Sequence, residues 1–263
     1  MHILVTGGTG FIGSHCVLEL LQSNHTVTVI SNLVNSVLAL YGTPLHHPMK
    51  EEAVVAENIT NPYGHSKFMI EKMLKDIAES NKHWNIICLR YSNPTGSDPS
   101  AIIGESSKGI PNSLLPYIGQ VLSGKMPYLT IFGGDFNTSD GTGVRDYIHV
   151  TDVARANLCA LNRIIEEKNI GFEVYNIGMG KGYSVLEIVE AMENASGKKI
   201  ATKIMPPRVG DVPYLCCDPT LAAIKLKWTA QFSLEDMCRD VLNWQKKNAH
   251  GYVDDKNKNL KHG

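Results

Sequence analysis

The opening of the chain restricts the fold more than any other stretch. His2-Ile3-Leu4-Val5-Thr6 reads as a short buried strand, Thr6-Gly7-Gly8-Thr9-Gly10-Phe11-Ile12-Gly13 as a glycine turn, and Phe11 to Leu21 carries helical apolar spacing. Val27 to Ile30 reads as a second strand, so the chain begins with one β-α-β unit. Glycines at this point allow a tight turn and let backbone N–H groups approach an anion at the helix N-terminus. A GxxGxxG string alone is weak; its place between a first strand and a first helix is what points to the pyrophosphate of a dinucleotide. Gly7, Gly10, Phe11, Ile12 and Gly13 are therefore the expected cofactor turn.

Strand and helix patterns keep alternating. Asn61 suits a helix N-cap and Pro62 a first turn, and Ile70, Met73, Leu74 and Ile77 line one face of a helix running to Ser80. Ile86 to Tyr91 reads as a strand, Leu114 to Leu122 as a helix, and Tyr128 to Phe132 and Tyr147 to Val150 as extended. Thr151 begins a helix toward Glu166, and Val174 to Ile177 is another strand. Ser184 with Glu187, and Ser233 with Asp236, carry capping-box spacing for two further helices. The expected class is α/β: a Rossmann-like parallel sheet with a smaller C-terminal α/β domain. Residues 1–92 plus about 145–180 would form the dinucleotide domain, about 93–144 plus 181–253 the second domain, and 254–263 a polar tail.

With 25 Lys and Arg against 26 Asp and Glu, no basic field is available for a nucleic-acid backbone or an anionic membrane, and a small-molecule partner is expected. Cys16, Cys88, Cys159, Cys216, Cys217 and Cys238 are scattered through mostly apolar runs without a CxxC pair, which predicts reduced, largely buried thiols. Neither a signal peptide nor an apolar run of membrane length is visible, so a cytoplasmic protein is expected, and the sequons at Asn58, Asn137 and Asn194 carry no information.

Where the second strand ends, dinucleotide folds usually place an acid that binds the adenosine ribose. This chain has Ser31 followed by Asn32. Serine makes one such bond without the carboxylate, so weak binding is expected, and with no Arg or Lys adjacent the cofactor expected is NAD rather than NADP. Further on, Tyr63-Gly64-His65-Ser66-Lys67 sets a phenol and an ammonium one helical turn apart on one face, just inside a helix N-terminus. A phenol titrates near 10, so its use as a base at neutral pH requires a lowering of roughly 3 units, about 4 kcal/mol. The ammonium and the positive helix end both act in that direction.

At this point the stretches VTGGTGFIGSH, NPYGHSK, LRYSNPTG, GESSKGIPNSLLPYI, LTIFGGDFNTSDGTGVRDYIHVTDVA, YNIGMGKGYSV and PPRVGDVPY stand together. Over nearly all its length the chain resembles the UDP-glucose 4-epimerases of the extended short-chain dehydrogenase/reductase family, and GTGVRDYIHV with GIPN is the most specific part. The resemblance implies interconversion of UDP-glucose and UDP-galactose by transient oxidation at C4 of the hexose. Tyr63 would be the base and Lys67 would bind the nicotinamide ribose of NAD. Tyr91 would lie near the cofactor. Asn93, Phe132, Arg145 and Arg208 would hold the UDP moiety, Asn112, Ser113, Leu129 and Asp211 would complete the nucleotide-sugar site, and Leu215 would wall the hexose. The partner implied is a UDP-hexose, and a homodimer is compatible with the likeness.

Three residues depart from that pattern. The family's active-site serine falls on Val37 when the chain is aligned on Tyr41-Gly42, Ser92 stands where an aromatic is common, and Ser113 where an asparagine is. A larger departure lies between Leu33 and Val34, where the family has roughly three β-α units, on the order of 90 residues. Parallel neighbours need a crossover of at least about 10 residues, so the second strand and the segment 36–41 cannot both keep their family positions. Residues 34–42 are expected to be rearranged, or the sheet to be incomplete. The alternative to an active enzyme is thus a shortened, catalytically impaired isoform or remnant that binds nucleotide sugar at most. A nucleotide-sugar dehydratase would want an Asp-Glu pair near positions 38 and 39, where this chain has Leu38 and Ala39.

Overall fold

Strand and helix alternate as the apolar spacing predicts. The computed structural model describes residues 1–30, 41, 47–53, 59–106, 109–249 and 251–252. The chain begins with β1 (His2–Thr6), α1 (Phe11–Gln22), β2 (Thr26–Ile30), α2 (Pro62–Ser80), β3 (Ile86–Tyr91) and β4 (Asn93–Thr95). There follow α3 (Leu114–Leu122), β5 (Leu129–Phe132), β6 (Val144–His149), α4 (Val150–Glu166), β7 (Phe172–Ile177) and β8 (Gly182–Ser184). The last elements are α5 (Val185–Ser196), β9 (Thr202–Met205), β10 (Tyr214–Leu215), α6 (Thr220–Lys225) and α7 (Leu234–Lys247).

The expected caps form. The Asn61 side chain accepts the Gly64 N–H at 2.8 Å, and Ser184 with Glu187 and Ser233 with Asp236 complete reciprocal capping boxes at α5 and α7. The start of α4 differs from the sequence reading. His149 is its N-cap, and the ring Nδ1 accepts the Thr151 N–H at 3.1 Å. The elements that sequence reading missed are those too short for a periodic signal, β4, β8, β10 and α6, together with β9, whose four residues are all exposed.

The parallel sheet is divided among the described residues. β1 pairs with β2 from His2↔Thr26 to Thr6↔Ile30, and β3 pairs with β7 from Ile86↔Phe172 to Tyr91↔Ile177, with no hydrogen-bonded strand joining the two pairs. Residues 31–40 and 42–46 lie outside the described part, and the expectation of a rearranged segment or an incomplete sheet falls mostly on them. The first pair is secured by α1, which packs along α4, with Arg155 Nε 3.3 Å from Glu19 Oε1.

The C-terminal elements close around their own core. β6 is central, parallel to β4 and β10 and antiparallel to β8, while β5 pairs with β9. Leu115, Ile118, Ile131, Ile188, Met192, Met237 and Val241 from α3, β5, α5 and α7 are sealed from solvent in one cluster. A second cluster joins Ile148, Val153, Tyr175 and Ile177 to Ala222, Leu226 and Trp228. The helix α2 departs from expectation in part: of Ile70, Met73, Leu74 and Ile77, read as one face, Leu74 is half-buried and the other three are exposed, as is Met69. Gly64 and Ala78 are the buried residues of the helix instead. No described element packs over the Ile70–Ile77 stripe, so amphipathic spacing marked an apolar face without marking its cover.

Candidate active site

The cofactor turn has the geometry its glycines require. Gly7 has φ +73°, and its carbonyl accepts the Gly10 N–H at 2.9 Å. A Cβ at Gly13 would lie 2.1 Å from Gly7 O and 2.8 Å from Gly8 Cα, so the first turn of α1 can press against the loop only with glycine there. Gly10 is the N-cap of α1 and no side chain caps the helix, which leaves its leading N–H groups, those of Phe11, Ile12 and Gly13, facing where an anion would sit. The residues present fit a dinucleotide pyrophosphate. Ser31 and Asn32, expected at the ribose, lie outside the described residues. Ile12 packs in the same cluster as Tyr91, whose hydroxyl donates to Asn157 Oδ1 at 2.9 Å, so Tyr91 stands beside the helix that carries the turn.

Tyr63 and Lys67 lie on α2 as the spacing predicts. Both are half-buried while His65 and Ser66 between them are exposed, and Lys67 Nζ is 5.2 Å from the centre of the Tyr63 ring. The Asn61 cap and Pro62 place Tyr63 within the first turn, where the positive end of the helix favours a phenolate.

Arg145 and Arg208 form a second cationic group, close enough for the charge of Arg208 to act on Arg145. Arg145 on β6 is paired in register with Leu215 on β10, and the Arg208 guanidinium lies 5.3 Å from the centre of the Phe132 ring at the end of β5. Arg208 Nε donates to Asp211 Oδ2 at 2.8 Å. Arg145 donates to the Val144 carbonyl at 2.8 Å and has no carboxylate partner among the described residues. Burial pushes its pKa below the usual guanidinium value and the Arg208 charge adds to this, against the opposing influence of Asp211. A half-buried cation next to a second arginine is a site for an anionic group. Thr60 Oγ1 donates to Gly210 O at 2.9 Å, which fastens the arginine loop to the residue just before the α2 cap.

The other expected residues differ in exposure and in partners. Asn93 fits best: its Oδ1 is buried on β4 without a protein hydrogen bond. Asn112 is exposed just before α3, and the Ser113 hydroxyl donates to Glu105 Oε1 at 2.9 Å. The Leu129 side chain is sealed in the C-terminal core with Leu115, Ile118, Ile188 and Met192, and its N–H donates to Ala201 O at 2.8 Å. Leu215 sits in a small apolar cluster with Tyr41, Met49 and Cys217.

Sequence reasoning missed two groups. Asp146 is fully buried beside Arg145 and accepts the N–H groups of Met179 at 2.9 Å and Gly180 at 3.1 Å; burial raises its pKa. A Cβ at Gly178 would come within 2.6 Å of Asp146 Oδ2, which is why a glycine stands there. Arg90, 6% exposed, donates to both carboxylate oxygens of Glu71, at 2.9 and 2.5 Å, and to Tyr41 Oη at 2.6 Å. The available signal was a cation inside the apolar strand IICLRY.

Parallel strands alternating with helices, a glycine-turn helix and a YxxxK helix define a class of dinucleotide-dependent α/β proteins. The chain belongs to the NAD dependent epimerase/dehydratase family, whose model matches residues 3–39 and, as a second segment, 36–178. The two matches overlap at residues 36–39, just after the junction between Leu33 and Val34. The UDP-glucose 4-epimerase of Caenorhabditis elegans is 38% identical over a 347-residue alignment covering 96% of this chain and 99% of that protein. That alignment is longer than the 263-residue chain. The Homo sapiens UDP-glucose 4-epimerase is 48% identical over 224 residues, 85% of this chain and 64% of that protein, so the chain spans less than two thirds of that relative's length. Among solved structures, the UDP-glucose 4-epimerase of Bifidobacterium longum in complex with NAD+ and UDP superposes with a TM-score of 0.90 at 31% identity, covering 96% of this chain and 100% of that one. The Stenotrophomonas maltophila UDP-glucose-4-epimerase with bound NAD and formylated UDP-arabinopyranose gives 0.88 at 31% identity, over 95% and 99%.

Proposed function

We propose that the site is that of a UDP-hexose 4-epimerase, interconverting UDP-glucose and UDP-galactose with retained NAD. The observation that supports this is the hydrogen bond from Thr60 to Gly210, which ties the loop that carries Arg208 and Asp211 to the residue just before the cap of the helix that bears Tyr63 and Lys67. NAD, when bound along the Gly7–Gly13 turn, supplies the acceptor and donor of hydride at C4 of the sugar. Tyr63 takes the proton of the C4 hydroxyl as the hydride departs and gives it back when the hydride returns to the other face. Lys67 favours the phenolate and meets the nicotinamide ribose. Arg145 and Arg208 hold the diphosphate, with Phe132 and Asp211 bracing Arg208, Asn93 and Asn112 contributing amides, Ser113 a hydroxyl, and Leu215 one wall of the hexose site. Residues 1–92 with about 145–180 serve the cofactor, and about 93–144 with 181–253 the nucleotide sugar.

The second reading is a shortened chain that binds nucleotide sugar with little turnover. The division between β1–β2 and β3–β7 favours it, as does the absence of an acid at Ser31. Loss of one hydrogen bond to a charged group costs about 1.5 to 3 kcal/mol, or tenfold and more in affinity. Purified protein measured for bound NAD, thermal unfolding and UDP-galactose turnover separates the two. Stoichiometric NAD with turnover like that of a full-length relative supports the first; UDP binding with neither supports the second. A cytoplasmic homodimer completes the proposal, the exposed α2 stripe of Met69, Ile70, Met73 and Ile77 being the face offered to a second copy. A monomer by light scattering at micromolar concentration would remove that part.

A further inference from the structure

The helix α2 contains its own control. It carries three Lys-x-x-x-acid spacings: Lys67 with Glu71, Lys72 with Asp76, and Lys75 with Glu79. Neighbours at i,i+4 attract one another on any exposed helix face. Lys72 and Asp76 accordingly meet at 3.2 Å, and Lys75 and Glu79 at 3.7 Å. Lys67 and Glu71 make no such pair, and Lys67 lies over the Tyr63 ring instead. The difference is Arg90. Its Nε and Nη2 occupy both oxygens of Glu71 in a two-point fork, and its Nη1 donates to Tyr41 Oη and, at 2.9 Å, to the Glu51 carbonyl. Tyr41 Oη in turn donates to Asn176 Oδ1 at 2.7 Å, so the guanidinium is locked between β3 and β7.

We infer that Arg90 is a positioning residue: by engaging the whole Glu71 carboxylate it keeps Lys67 with Tyr63 and fixes the rotation of α2. The inference rests on the reading of Tyr63 as the base. With Arg90 removed, the freed carboxylate one turn from Lys67 draws the ammonium away, and the phenol loses the charge that favours its ionised form. A purely structural ion pair predicts something different, since either partner's loss would then disturb the site equally.

The test needs no turnover. The full chain is prepared with carbon-13 at tyrosine Cζ, the Tyr63 resonance is identified by its absence in Tyr63→Phe, and its midpoint is followed with pH. Arg90→Met is expected to raise the midpoint by about 0.5 to 1 unit, the order of the field of an ammonium some 5 Å away. Glu71→Gln should leave it within about 0.2 unit, and the double variant Arg90→Met/Glu71→Gln should restore the parent midpoint. An unchanged midpoint in Arg90→Met, or a double variant as high as the single one, overturns the inference. If Arg90→Met does not fold, Arg90→Lys, which leaves one Glu71 oxygen free, must show a smaller shift of the same sign, and none overturns it equally. Full turnover in Tyr63→Phe would remove the base reading while leaving this titration to stand or fall separately.

Discussion

The two ends of the molecule are closed to different degrees. From β3 onward the strands find partners within 86–249, and the cluster around Ile188, Met192 and Met237 is sealed from solvent. In the N-terminal unit β1 alternates between exposed and half-buried, Leu4 is 57% exposed, and α2 presents Met69 at 63%. Strands of a parallel sheet are ordinarily covered on both faces. The difference teaches what each pairing depends on: the C-terminal pairings do not cross the junction, whereas β1–β2, with no further strand partner among the described residues, is tied to the rest through the packing of α1 on α4.

The largest effect that could sharpen this contrast is chemical. Tyr63→Phe should lower whatever turnover the chain has by a hundredfold or more, while UDP affinity by calorimetry stays within about twofold. Arg145→Met should do the reverse to binding, weakening UDP about tenfold or more through loss of a charge-assisted contact. If Tyr63→Phe weakened UDP binding as much as Arg145→Met, the two regions would not divide the work in this way.

Next come the cores. Met192→Ala, at a fully buried position, should cost about 2 to 5 kcal/mol in denaturant unfolding. A cost below about 1 kcal/mol would mean that the C-terminal core is looser than its burial implies.

The N-terminal unit should contribute acid sensitivity between pH 7 and pH 5. His15 on α1 is buried, its Nδ1–H donates to Phe11 O at 2.7 Å, and its Nε2 has no hydrogen-bond partner, so burial lowers its pKa from 6.5 to about 4. Between those values the unfolded chain binds the proton that the folded one refuses, so this contribution to stability is present above 6.5 and is lost as the pH falls toward 4. About 2 kcal/mol should disappear from pH 7 to pH 5. His15→Gln should flatten that slope; an equal slope in the variant would assign it to other groups. The smallest effect is expected at Leu4→Ala, under about 1 kcal/mol, because more than half of that side chain already meets water. A core-sized loss there would show that β1 is covered after all.

Local order determined much of this protein. The glycine turn, the Asn61 cap, the two capping boxes and the Tyr63–Lys67 spacing depend on residues within one or two turns of each other, and each is found at its expected place. The sequence also located the junction, since a second strand followed at once by residues 36–41 leaves no length for a crossover. What it could not decide depends on distant partners. Leu129 reads in the sequence as a generic apolar strand residue, and its burial comes from distant Leu115, Ile118, Ile188 and Met192. The stripe on α2 is apolar by spacing, but whether it is covered depends on elements elsewhere in the chain. Arg90 meets Glu71 across 19 positions and Asp146 binds N–H groups more than 30 residues away, because buried charges must take partners wherever the fold brings them. Periodicity reports which face of an element is apolar or polar, and tertiary structure alone decides what that face meets.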